Sequence, residues 1–409
     1  MKQLKEKGFC YGALLYAFLI PFPQKMVTVS LIVWTILSFI GFNASNTVRN
    51  KRLLLLPLFY FTYFIGFLSY ETLSLKFLEH KLSLLVFPLL FFLNFYDQKM
   101  RDGIYKAFVW GLVVSAITCF FWALYNSLHF LNGSLGFQAA VEEGKGFMES
   151  ILYGGNFFFG RHLSVFHQTV YYALYLCSGV AILLFVPRLL AFKIRVVLLS
   201  VFTIFVFLIS NKAGFIGLSV VFALKFCTWQ AGRNKKIIGA AALSVVLMAF
   251  MLLNPRVYES AAQIAQGNLV LNPEARYGFS TRLLSWDTAI SLIKDAPILG
   301  YGYGGSQKAL NKRYEINGYT HPLKEQYNAH NLWLQSWLEN GLLAIILLFW
   351  VFYVLFKESN GSNLFLAFTL LLLINSLFEG LFNRFSGISF IAFLVCFIFS
   401  IKKVGGTKS

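Results

Sequence analysis

The chain has 409 residues, 58% of them hydrophobic and only 13% charged, with a formal net charge of +18. A soluble domain carries about 25% charged residues, so half that share excludes an ordinary soluble protein and points to a membrane body. The basic residues sit mostly in short runs between apolar segments, which assigns them to membrane topology rather than to nucleic acid.

The N-terminus, Met1-Lys2-Gln3-Leu4-Lys5-Glu6-Lys7 followed by apolar residues to Ile20, has the outline of a signal peptide. Pro21-Phe22-Pro23-Gln24-Lys25 follows in place of a small-x-small cleavage site, so this segment is predicted to stay as the first membrane helix. A crossing helix needs about 20 mostly apolar residues. Twelve candidates occur, at 8–21, 27–43, 53–70, 82–96, 104–127, 166–187, 194–211, 213–230, 237–254, 338–356, 363–378 and 385–401. Starting inside and alternating, 20 of the 35 Lys and Arg fall in inside segments, against 7 in short outside ones. The expectation is an all-α polytopic membrane protein of about 12 helices, one integral-membrane domain with both termini in the cytoplasm. Two outside loops are long, 128–165 and 255–329. The five cysteines, Cys10, Cys119, Cys177, Cys227 and Cys396, show no CxxC pairing, so neither a disulfide framework nor a cysteine metal site is predicted.

In the second long loop, Ser280-Thr281 is predicted to cap a helix beginning near Arg282 and ending before Pro297. Arg282, Trp286 and Ala289 then share one face of a short amphipathic helix, lying on the outer membrane surface or against the bundle. Gly300-Tyr301-Gly302-Tyr303-Gly304-Gly305 has the look of a nucleotide loop, but no βαβ unit surrounds it; a turn allowing close backbone approach is expected. Next comes His330, two residues after the candidate N-cap Asn328. In a first helical turn the dipole favours a neutral imidazole, which suits a general base, and Trp333, Leu334 and Trp337 would lie on its face. An interfacial histidine beside a tryptophan belt is the other reading. Arg282 fits a phosphate in bidentate geometry or anchors to lipid headgroups. Arg161, Lys212, Glu379 and Arg384 lie at predicted outer helix ends, where ionisable groups face a cavity or a partner. Glu379 pairs with Arg384, the favoured reading, or orients His330. No Asp/Glu cluster has the form of a metal or sugar-nucleotide site, so metal-free chemistry is expected.

Taken together, Arg282-Leu283-Leu284-Ser285-Trp286, Ile293, Pro297-Ile298-Leu299-Gly300-Tyr301-Gly302, His330-Asn331-Leu332-Trp333-Leu334-Gln335 and Glu339-Asn340-Gly341 resemble the signature of the O-antigen ligase family. That wider set includes O-antigen polymerases and protein O-oligosaccharyltransferases. The resemblance implies a multi-pass glycosyltransferase of the bacterial inner membrane whose active site faces the periplasm. It implies a glycan donor on undecaprenyl diphosphate, the lipid A core as acceptor, inversion, and neither metal nor cofactor. By motif, His330 corresponds to the family's essential histidine and Arg282 to an arginine that binds the donor diphosphate. Arg161 resembles a further family arginine. Lys212 stands where the family often has arginine; it keeps the charge and loses the fork. Asn331, Trp286, Glu379 and Arg384 are expected to support the site. A transporter of lipid-linked sugar is the reading from another class, but transporters place ionisable groups at mid-membrane in repeated halves, and neither feature is evident here.

Overall fold

The computed structural model describes residues 2–44, 47–68, 76–131, 134–232, 234–237, 239, 248, 252–255, 258, 271–275 and 278–400. The first half of the chain holds α1 (Lys2–Leu19), α2 (Gln24–Ile40), α3 (Leu55–Leu68), α4 (Lys76–His80), α5 (Ser83–Leu93) and α6 (Gln98–Ser127). A hairpin of β1 (Leu128–Leu131) and β2 (Ser134–Phe137) follows, with Leu128 opposite Phe137, then α7 (Phe147–Leu152), α8 (Thr169–Phe185), α9 (Phe192–Ile209) and α10 (Lys212–Cys227). The second half holds α11 (Gly278–Asp295), α12 (Gly302–Ile316), α13 (Thr320–Lys324), α14 (Leu332–Glu358), α15 (Asn363–Phe378) and α16 (Phe385–Phe399).

The architecture is that of an all-α membrane protein, with a single small hairpin among the described residues. Three helices, α6, α9 and α14, are long and apolar enough to cross a membrane, and shorter apolar helices accompany them. Next to lipid an exposed apolar side chain costs nothing, so α2 can leave Val29, Phe39 and Ile40 exposed while Val27 and Trp34 are buried. At the centre, α8 and α16 are buried along most of their length. The candidate span 237–254 falls largely outside the described residues.

A second, smaller core forms from α11, α12 and α13, around Leu284, Ala289, Leu292, Leu310, Tyr314 and Tyr319. These helices make a cap, and Leu338 of α14 belongs to the same cluster, so α14 runs from the cap into the bundle. Two ring systems mark the passage: the Trp337 Nε1 donates to the Pro297 carbonyl at 2.8 Å on the cap side, while the Trp333 ring packs on Phe352 at 5.2 Å on the bundle side.

The joint between cap and bundle is a break in α14. Gly341 has φ +68°, where any other L-residue is strained, and a Cβ there would lie 1.9 Å from the Ile298 carbonyl oxygen. The turn before α12 fills the break. Leu342 N–H donates to Ile298 O at 3.1 Å, and Tyr301 N–H donates to Leu338 O at 2.7 Å. This is the close backbone approach expected of the glycine-rich stretch. It also corrects the span predicted at 338–356: the helix begins at Leu332 and is interrupted at Gly341, because the turn supplies partners for the backbone groups the break releases.

Candidate active site

His330 is held by its backbone before its side chain meets anything. The expected placement in a first helical turn capped by Asn328 is corrected, because Asn331 is the N-cap of α14. The Asn331 Oδ1 accepts from Trp333 N–H at 2.9 Å and Leu334 N–H at 3.1 Å, and its Nδ2 donates to Leu377 O at 3.1 Å. Asn331 thereby fastens α14 to the end of α15. His330 is pushed outside the helix, with φ +43°, a left-handed conformation few non-glycine residues adopt. Asn328 instead holds the backbone of His330, its Oδ1 accepting His330 N–H at 2.8 Å. Strain of this kind persists where the surroundings over-determine it, often at a functional site.

The imidazole points its Nδ1 at the Glu379 carboxylate, 3.5 Å from Oε1, and makes no hydrogen bond through Nδ1 among the described residues. Glu379 also takes Gly380 N–H at 3.2 Å. The favoured pairing of Glu379 with Arg384 is thus corrected: Glu379 is buried and faces His330, while Arg384 is exposed at the start of α16. The aromatic neighbour of His330 is Tyr327, edge-on at 5.0 Å, and not the predicted tryptophan wall, because Trp333 and Trp337 diverge to bundle and cap.

Arg282 reaches this cluster from the cap. Its helix starts at Gly278, so Arg282 lies past the first turn, and the predicted cap at Ser280-Thr281 is corrected. Burial pulls the guanidinium down from its ordinary value, and Glu379 and Tyr327 oppose that. Burial would by itself raise the Glu379 carboxyl, but His330 and then Arg282 outweigh it and hold it below the ordinary carboxylate value. One carboxylate from the bundle therefore faces an imidazole and feels the charge of a guanidinium 48 positions earlier in the chain. Trp286, one turn on from Arg282, packs edge-on Phe279 at 5.7 Å.

Beside this cluster lies a cavity of about 1310 Å³. Arg161 and Arg384 line it, together with Asn328, Gln335, Glu339 and His167. Its other side is an apolar stripe of Leu31, Ile32 and Ile36 from α2, with Leu82 and Val86. His330, Arg282 and Glu379 are not in its wall; Asn328, which lines the cavity and holds the His330 backbone, is where cluster and cavity meet. Lys212 is not in the wall either. It is the first residue of α10, behind the left-handed Ser210 and the capping Asn211, whose Oδ1 accepts Gly214 N–H at 3.1 Å.

Sequence reasoning gives no role to two residues that the site contains. Glu339 lies in the cavity wall and is 1% exposed. Its Oε1 accepts from the Gln335 Nε2 at 2.6 Å, and the Gln335 Oε1 accepts Ala329 N–H at 2.9 Å, so a buried chain of bonds runs from the helix break to the residue before His330. Lys81, buried to the same degree, is the opposite charge that acts on Glu339; it donates to the Phe382 carbonyl and lies 4.9 Å from the Tyr63 ring centre. A carboxylate inside the apolar run beginning at Leu338 is the signal that could have found them, since such a group needs a partner.

Residues 195–349 match the family model described as O-antigen ligase. An uncharacterized protein of Haemophilus influenzae is 28% identical over 163 residues, which cover 37% of this chain and 41% of that relative. The family match takes in Lys212, Arg282, Trp286, His330, Asn331 and Glu339, and leaves out Arg161, Glu379 and Arg384. Over residues 195–349, about two fifths of its length, the chain is therefore similar to the O-antigen ligase family.

Proposed function

We propose that the protein is an O-antigen ligase, a glycosyltransferase of the bacterial inner membrane that needs no metal. It moves a glycan from undecaprenyl diphosphate to a hydroxyl of the lipid A core on the periplasmic face. The observation that carries this reading is the meeting of His330, Glu379 and Arg282 between cap and bundle, beside a cavity with cationic and apolar sides. Glu379 orients the imidazole through Nδ1, leaving Nε2 to take the proton of the acceptor hydroxyl. The freed oxygen attacks the anomeric carbon of the donor. The bond from that carbon to the diphosphate oxygen breaks, and the electron pair leaves on the diphosphate. Arg282, with Arg161 and Arg384, meets the charge that develops there. The polyprenyl chain lies along the stripe of Leu31, Ile32 and Ile36. Lys212 takes no part in this proposal.

Sidedness follows from charge. Cap and cavity gather at one end of the bundle. The other end carries the ion pairs of Arg52 with Glu358 and Arg188 with Asp102, along with Arg49, Lys51 and Lys225. By the positive-inside rule this distribution supports the reading that puts that end in the cytoplasm and the cavity on the periplasmic face.

The test is reconstitution of the purified chain with an undecaprenyl-diphosphate-linked glycan and either lipid A core or a second donor molecule. Glycosylated lipid A core is expected. A lengthened lipid-linked glycan in its place assigns the same site to a polymerase, and a glycosylated protein assigns it to an O-oligosaccharyltransferase. Donor crossing the membrane with no covalent product overturns the proposal in favour of transport.

A further inference from the structure

Toward the end of the bundle away from the cap, the turn before α3, the first residues of α3 and one face of α5 line a slot of about 460 Å³. On α5 the two share neighbouring residues, Val86 in the cavity wall and Leu85 in the slot wall, while the slot's far end reaches Asn50, which donates to the Phe399 carbonyl at the end of α16. Leu54, Leu85, Leu89 and Phe92 wall the slot, and Pro57 and Pro88, which carry no N–H, contribute no donor to it. Leu54, Leu89 and Phe92 are themselves exposed, so the slot opens sideways toward lipid.

Arg49 and Lys51 stand at its mouth. Both are exposed, and no carboxylate lies within ion-pair distance of either among the described residues. The neighbouring Arg52, by contrast, is paired with Glu358. The turn that presents the two cations is fixed in place. Asn50, between them, accepts Arg52 N–H at 3.1 Å and donates through its side chain to the Phe399 carbonyl. Val48 N–H donates to Phe92 O at 2.8 Å, tying the same turn to the end of α5.

We propose that this slot binds one anionic phospholipid of the surrounding leaflet, its phosphate between Arg49 and Lys51 and an acyl chain between α3 and α5. The volume lies within the roughly 300–1,000 Å³ of ligand pockets, and the charge pattern is that of basic pockets which hold anionic headgroups between membrane helices. A neutral lipid would fill the slot and leave both cations without a partner. This site is separate from the proposed reaction and stands whether or not that reaction is the right one.

The test uses the full chain in neutral detergent, titrated with phosphatidylglycerol or with phosphatidylcholine of the same acyl chains, and reads bound lipid by native mass spectrometry. Each basic group near an anionic lipid is worth about 1 kcal/mol. At about 1.4 kcal/mol per tenfold, two predict that phosphatidylglycerol binds about 30-fold more tightly. The double variant Arg49→Gln, Lys51→Gln is expected to lose most of that preference with an unchanged unfolding temperature in the absence of lipid, since both side chains are exposed. Leu89→Trp fills the slot and is expected to weaken phosphatidylglycerol at least tenfold. Equal affinity of the wild type for the two lipids, a preference kept by the double variant, or full binding by Leu89→Trp would each overturn the proposal.

Discussion

In the bundle, helices meet in surroundings as apolar as their own side chains, so burial of leucine or phenylalanine gives little reason to associate. Close packing and buried hydrogen bonds supply the reason: Ser115 with Tyr172 at 2.6 Å, Tyr175 to Ser386 O at 2.6 Å, Trp34 Nε1 to the Tyr96 hydroxyl at 3.1 Å. The cap lies outside the apolar segments and is built as soluble proteins are. It has a small core of Leu284, Leu292, Leu310 and Tyr314, with polar pairs at its edge such as Arg313 with Asp295 at 2.7 Å. The candidate site belongs to neither part alone. Arg282 comes from the cap, Glu379 from the end of α15, and His330 from the segment that joins them. The site therefore exists only while the cap is docked, and the dock is a turn of backbone seated in a broken helix.

That contrast can be broken at several points. The largest effect is expected at the dock. Gly341→Ala forces a Cβ against the Ile298 carbonyl at a positive φ, and it should destabilise the protein by roughly 3 kcal/mol or more. Thermal unfolding of the purified protein reads this, and an unchanged midpoint would mean that the break is not what seats the cap. Next is Arg282→Lys, which keeps the charge and loses the fork. Transfer should fall roughly 100-fold at unchanged stability; donor affinity and rate equal to wild type would make Arg282 a headgroup anchor.

Gln335→Leu removes the link between Glu339 and Ala329 while filling similar volume. The loop carrying His330 is then less well placed, and kcat should drop roughly tenfold with little change in the KM for donor. A change confined to KM would assign Gln335 to substrate binding. The smallest effect is on pH dependence. Glu379 is held below its ordinary value in the folded state, so its stabilisation is complete above the unfolded carboxylate value of about 4.3 and is lost as pH falls through the lower folded one. His330→Gln removes the partner that lowers it most. With the folded value brought back toward the unfolded one, the stability lost on acidification below about pH 4.3 should shrink, and an acid limb of unchanged size would show that the two groups do not interact.

Most of the bundle is legible in the sequence because a run such as 104–127 or 363–378 has one physical explanation. The cap and site are harder to read where two local rules compete. Asn328 and Asn331 are both good caps; Asn331 wins because its Nδ2 also reaches Leu377 on another helix, and the choice moves His330 out of the helix. Arg384 is five positions from Glu379 and is the obvious partner by spacing, yet the carboxylate turns to a histidine 49 positions earlier in the chain. Trp333 and Trp337 share a helical face by spacing, and a helix that passes from one part of the protein to the other sends them to different neighbours. By contrast, the glycines at 300–302 and 341 announce a tight backbone approach, and only the identity of the two partners is missing.

The most direct measurement is single-turnover transfer by His330→Ala with a lipid-linked glycan donor and lipid A core. Loss of a positioned general base predicts a rate lower by about 10²–10⁴, with the unfolding temperature and donor binding of the wild type retained. Transfer at the wild-type rate by a folded His330→Ala protein would contradict the assignment of the base, and with it the proposed site.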